Sequence, residues 1–220
     1  MTDVMWDGEI KAAEADNEYG LTRLRLADAA KTGDWPVVLD LLGGDRYLVN
    51  SSRPGGKSLY APLHQAAYNG ASADVVNHLI RLGAFRTLRN ARGERALDVA
   101  QRRGHRHLQA VLAPVLHHQV PGAELVKMQA HFHAVIRGRI DEPLADHGLR
   151  LPQLAALLEL ERPHMWFPVP GMCGGFSYWL ESGGAAARLV AESWSRVSGG
   201  SGQRHEITPQ GSELVDEGFV

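Results

Sequence analysis

The sequence predicts an α+β chain, helical through about its first three quarters and strand-forming at its end. Three observations carry this reading. A glycine-anchored pattern of paired short helices recurs through residues 22–115, helical periodicity without that repeat covers 116–164, and aromatic segments broken by glycine turns fill 165–220. Residues 1–21 form an acidic leader. The 220 residues allow one large domain or two small ones. Hydrophobic residues make up 44% and charged residues 22%, which excludes wholesale disorder. No run of 18 apolar residues is present, so no membrane partner is expected. A formal net charge of -2 argues against a nucleic-acid partner for the chain as a whole.

Charge is unevenly placed. The leader carries Asp3, Asp7, Glu9, Glu14, Asp16 and Glu18 against Lys11 alone. Residues 81–106 carry eight arginines against Glu94 and Asp98. Either the leader lies on that basic stripe, or the stripe receives an acidic partner, or it is a solvated face whose Arg stems cover apolar surface. The N-terminus lacks a basic stretch leading into an apolar core, and Cys173 is the single cysteine, which together imply a reducing cytoplasm.

The repeat is read from its glycines. Ala29-Ala30-Lys31-Thr32-Gly33, Ala66-Ala67-Tyr68-Asn69-Gly70 and Ala100-Gln101-Arg102-Arg103-Gly104 align, with Leu26, Leu63 and Leu97 three residues before each leading alanine. Each glycine is followed by a second helical pattern, Val37–Leu42, Val75–Ile80 and Leu108–Leu112. Small alanines let paired helices approach, and glycine ends the first helix in a tight turn. Ala61-Pro62-Leu63-His64-Gln65-Ala66-Ala67, with Arg81-Leu82-Gly83-Ala84 after it, resembles the ankyrin repeat. The third unit departs from that motif at Arg95-Ala96-Leu97-Asp98, and the first lacks its proline and histidine. The resemblance implies a short helical solenoid over 22–115 and a structural His64 that hydrogen-bonds neighbouring turns. It also implies a protein partner held in the ankyrin groove, near the loops Ser51–Tyr60 and Phe85–Gly93.

Beyond Pro114 the period stops. Leu125, Met128, Phe132, Val135 and Ile136 mark an amphipathic helix over Gly122–Arg139, and Leu151–Leu160 reads as another helix with Pro152 near its start. Phe176–Glu181, Arg188–Val197 and Gln203–Thr208, separated by glycine turns, predict a small antiparallel β-meander, with Glu213-Leu214-Val215 as a further strand. Trp166–Met172 and Gly199–Glu206 resemble a C-terminal segment found beside ankyrin repeats in some bacterial proteins, which implies an associated module and assigns no catalytic role.

The candidate chemistry lies in this last segment. His205 suits proton transfer near neutral pH, with Glu192 or Glu206 as orienting group or base. Trp166, Tyr178, Trp179 and Trp194 offer an aromatic floor for a small-molecule substrate, and Arg196, Gln203 and Arg204 supply polar anchors. Alternation places Glu192, Trp194 and Arg196 on one strand face, Gln203 and His205 together, and Arg204 with Glu206 opposite. Register, which periodicity leaves open, decides whether His205 meets Glu192. His131 and His133 point about 200° apart on a helix, so no metal is expected there. Neither glycine cluster has P-loop or dinucleotide spacing, so no cofactor is expected. Cys173 is a nucleophile candidate without a base supplied by any motif. Two functions follow: a cofactor-independent acid–base enzyme of dehydratase or cyclase type acting on an acidic, enolisable metabolite, or an ankyrin-type interaction module.

Overall fold

A computed structural model describes residues 4–9, 11, 17–181, 187–196 and 201–218, with backbone alone for 141–147. The turns at 182–184 and 199–200, Val197, and the leader acids Asp3, Glu14 and Asp16 lie outside the described residues. The chain is α+β and divides into two compact units. One holds residues 9–115; the other joins the first eight residues to 116–220.

The helical unit contains α1 (Glu18–Thr32), α2 (Trp35–Gly44), α3 (Pro62–Asn69), α4 (Ala73–Arg81), α5 (Ala96–Arg103) and α6 (Gln109–Leu112). Asn17, Asp34 and Ser72 cap α1, α2 and α4 by accepting from backbone N–H groups of the first turn. Gly33, Gly70 and Gly104 adopt left-handed φ of 78°, 66° and 78°, which closes each first helix and returns the chain for the second. Helix α3 packs against both α1 and α5. Leu26, Leu42, Leu63, Val76, Leu79, Val99, Leu108 and Leu112 form one buried cluster with the small alanines between them.

Polar side chains join consecutive helix pairs at corresponding places. Asn69 donates to the carbonyls of Ala30 and Lys31 at the end of α1. One turn pair later, Arg103 donates to the Tyr68 carbonyl, and His105 and His107 lie 3.2 and 3.1 Å from the Tyr68 and Ala71 carbonyls. His64 is buried; its Nδ1 accepts from Ala61 N–H, and its Nε2 lies 3.2 Å from the Glu94 carbonyl. Asp98 takes the corresponding place in the third pair, accepting from Arg95 N–H at 2.8 Å.

The second unit is a six-stranded sheet beside a long helix. Its strands are β1 (Val4–Met5), β2 (His164–Val169), β3 (Gly174–Glu181), β4 (Arg188–Ser195), β5 (Ser201–Thr208) and β6 (Gly211–Glu217). The order is β1 to β6 in sequence, antiparallel from β2 onward, with β1 parallel to β2. The sheet is therefore larger than the expected three- or four-strand meander, and mixed. Helix α7 (Gly122–His147) runs past the expected end at Arg139, with non-helical backbone at Ile140. Leu154–Glu159 folds as a 3₁₀ helix where an α-helix was expected. Met128, Phe132, Ile136 and Ile140 are buried, and Phe132 packs on Phe176 and Tyr178 with centroids 6.3 and 5.0 Å apart.

The leader does not behave as one piece. Trp6 is 2% exposed and donates its indole N–H to the Arg150 carbonyl at 2.9 Å. Arg150 N–H donates to Gly8, and its guanidinium lies 5.4 Å from the Trp6 centroid. Burial pushes the Arg150 pKa down to about 10, while the Asp7 carboxylate opposes that shift. Glu9 pairs with the buried Arg23 at 3.2 Å. Among the described leader acids, Asp7 thus lies near Arg150 and Glu9 pairs with Arg23.

Candidate functional site

The sheet's pairing register assigns each candidate residue to a face. Tyr178 lies opposite Ala191, Ala191 opposite His205, and His205 opposite Leu214; these share the face that packs on α7. Gln203 follows on that face opposite Ser193 and donates to Glu217 at 2.9 Å. On the other face, Trp166, Ser177, Glu192 and Arg204 form one cross-strand row, and His164, Trp179, Val190 and Glu206 form the next.

His205 and Glu192 are therefore on opposite sides of the sheet. The pairing Glu192 to Arg204 and Ala191 to His205 settles it, since side chains alternate with period two. His205 and Glu206, adjacent in one strand, are separated for the same reason. Tyr178 belongs to the core and not to an aromatic floor: it is fully buried against Phe132, its hydroxyl 3.5 Å from the Met165 sulfur, and burial raises its pKa well above the usual phenol value. His205 is half-buried, and its pKa is lowered by burial and by the nearby Arg139 guanidinium, partly offset by Glu217.

The open face gathers the three indoles. Trp166 and Trp194 stack with centroids 5.7 Å apart and planes at 24°. Gly175 makes room for this pair, because a Cβ there would stand 2.8 Å from Trp166 Cζ2. Arg196 follows β4, exposed, 5.4 Å from the Trp194 centroid. Trp179 packs edge-on to His164 at 5.7 Å and has Arg204 5.8 Å from its centroid. Charges on this face are paired: Arg188 reaches Glu206 and Glu181 at 2.5 Å each, and Arg204 meets Glu192 at 3.5 Å. The hydrogen bond from Arg188 is the main reason the Glu181 carboxyl titrates below its usual range.

His164 and Ser177 join these residues without having stood out in the sequence. Nε2 of His164 lies 2.7 Å from Ser177 Oγ, within hydrogen-bond reach of a base for a hydroxyl. His164 stands two residues before Trp166, so strand alternation alone was a usable signal for it. Ser177, two residues before Trp179, carried the same signal, and what alternation left open was the β2–β3 pairing that brings the two together.

A concave site lies on the helical unit. A cleft of about 480 Å³ is lined by Lys57, Ser58, Tyr60, Tyr68, Ala91, Arg92 and Arg102. The rings of Tyr60 and Tyr68 meet edge-on at 6.3 Å, and Arg103 lies 4.3 Å from the Tyr68 centroid. Arg102 donates to Glu94 at 2.8 Å and to the Tyr60 hydroxyl at 3.2 Å. Hydrogen bonds from Arg102 and Asn90 hold the Glu94 carboxyl below its usual range. Part of the arginine stripe is spent internally: Arg86 donates to the Val111 carbonyl, Arg89 to Gly93, and Arg95 to Asp98. Cys173 is exposed in the β2–β3 turn with φ 47°.

Among the described residues, no group of three or more His, Cys, Asp and Glu side chains gathers as a metal site. No described helix is long and apolar enough to cross a membrane. No protein-family model matches the chain, and no curated protein matches it. Among solved structures the chain is similar to one described as the Bd0816 predatory endopeptidase from Bdellovibrio bacteriovorus in complex with immunity protein Bd3460, at 25% identity and a TM-score of 0.34. That match covers 40% of this chain and spans 43% of the other.

Proposed function

We propose that the protein is a recognition module whose helical unit, a short ankyrin-type stack, binds an acidic segment of a partner protein in the Tyr60–Tyr68 cleft. One observation carries this reading: Lys57, Arg92, Arg102 and Arg103 surround two accessible tyrosine rings, and Glu94, the acid beside them, is already engaged by Arg102 and Asn90. Tyr and Arg are the residue types that anchor interfaces, and a surplus of positive charge favours acidic partners. A cytoplasmic setting fits the lone, exposed Cys173. The test is titration with a fluorescent hepta-glutamate peptide against a hepta-lysine control. Binding should weaken steeply with salt and at least about tenfold in the Lys57→Glu/Arg92→Glu double variant. Equal binding of both peptides, or no effect of the charge reversal, rejects it.

A second reading, acid–base catalysis on a small metabolite, is favoured by the His164–Ser177 contact on the indole face. It replaces His205 by His164 as the proton-transfer group, because His205 faces away from Glu192. If this reading holds, hydrolysis of an activated ester such as p-nitrophenyl acetate falls to background in Ser177→Ala; an unchanged rate removes it.

A further inference from the structure

We propose that the open face of the sheet binds a neutral carbohydrate, seated over Ser177, Glu192 and Arg204 between the Trp166–Trp194 shelf and Trp179. This site is separate from the tyrosine cleft and stands whether or not that cleft binds an acidic partner.

The face combines flat apolar surface with a row of hydrogen-bonding groups. The rows holding Trp194 and Trp179 are four residues apart along their strands, roughly 13 Å, with Ser177 and Glu192 in the row between. Indole faces carry partial negative charge and attract the weakly positive C–H groups on the apolar face of a sugar ring. Arg204 and Arg196 lie over Trp179 and Trp194, 5.8 and 5.4 Å from the ring centroids. All three indoles are only partly buried, so ring surface not covered by these arginines stays exposed, and the guanidinium groups put N–H donors beside it. Glu192 supplies acceptors, and His164 and Ser177 supply both donor and acceptor capacity.

Charge complementarity selects the class of ligand. Arg188 is shared between Glu181 and Glu206, and Arg204 is paired with Glu192, so the face holds both signs already matched. A polyanion would have to displace those carboxylates, and an organic cation would compete with guanidinium groups already beside the rings. A neutral, polyhydroxylated ligand can add hydrogen bonds to paired charges without breaking them. Half-buried rings held by neighbours also lose little freedom on binding.

The experiment uses the full chain and its five tryptophan indole N–H signals. Chitohexaose, cellohexaose and maltohexaose are titrated separately to about 10 mM. At least one should shift the signals of Trp166, Trp179 and Trp194 saturably while those of Trp6 and Trp35 stay in place. That binding should survive about 0.5 M NaCl, weaken at least tenfold in Trp179→Ala, and weaken only a few-fold in Trp179→Phe. The Lys57→Glu/Arg92→Glu variant should bind the same sugar unchanged, which separates this site from the tyrosine cleft. If none of the three sugars shifts these signals, or if Trp35 moves as much as Trp179, or if salt abolishes binding, the proposal fails. The wild-type shift map keeps it decidable should Trp179→Ala fail to fold.

Discussion

Burial sets how His133 titrates. Its Nε2 donates to the Pro152 carbonyl at 2.7 Å, yet desolvation outweighs that contact and, with Arg137 nearby, lowers its pKa below the ordinary imidazole value. His205 is shifted in the same direction. A histidine whose folded pKa is depressed stays neutral in the fold while the unfolded chain takes up protons. Its stabilisation is present above the ordinary histidine pKa and is lost as pH falls through the folded value. Urea stability should therefore decline below pH 6.5 or so, and His133→Gln should flatten part of that slope. Gly70 offers a matched comparison with Gly104. Both hold left-handed φ, but a Cβ on Gly70 would stand 2.6 Å from the His105 ring, while Gly104 has open space. Gly104→Ala should cost about 1–2 kcal/mol from backbone conformation alone, and Gly70→Ala clearly more. Equal losses in urea denaturation would show that the His105 ring simply moves aside.

At the scale of elements, β1 is the piece that sequence patterning overlooked. Val4 and Met5 sit in an acidic leader and are too short to show alternation; what holds them is pairing with Met165 and Trp166, more than 150 positions away. Trp6 makes that attachment costly to lose, being buried and bonded to Arg150. Trp6→Ala should destabilise the sheet unit by about 3–5 kcal/mol, read as a lower midpoint for the Trp166 and Trp194 signals. A loss under about 1 kcal/mol would mean the strand is dispensable. The 3₁₀ segment Leu154–Glu159 shows a different limit. Leu154, Leu157 and Leu158 recur as an α-helix face would, but the tighter turn buries the same residues. Periodicity over six residues does not separate the two.

For the whole molecule, each unit has its own core: the leucine–alanine cluster of the helix pairs, and the layer of Phe132, Phe167, Phe176 and Tyr178 beneath the sheet. Leu79→Ala in the first should cost about 2–5 kcal/mol, and a loss under about 1 kcal/mol in calorimetry would mean that the helix-pair core closes around the gap.

The helix pairs and their glycine turns were legible in the residues because they depend on contacts within a few positions: an Ala-rich face, a capping side chain, a left-handed glycine. The amphipathic α7 and the strand segments of 176–208 were legible for the same local reason, as was the sharing of a face by Glu192 with Trp194 and by Arg204 with Glu206. Which of those faces coincide was decided only by tertiary structure. Pairing Trp166 with Ser177 and Ser177 with Glu192 gathered the indoles on the open side and brought Ser177 to His164, and pairing Glu192 with Arg204 put His205 on the α7 side with Tyr178. Register is a non-local property: a slip of one residue would exchange the two faces, and the choice is made by which side chains fit against a helix some fifty residues away.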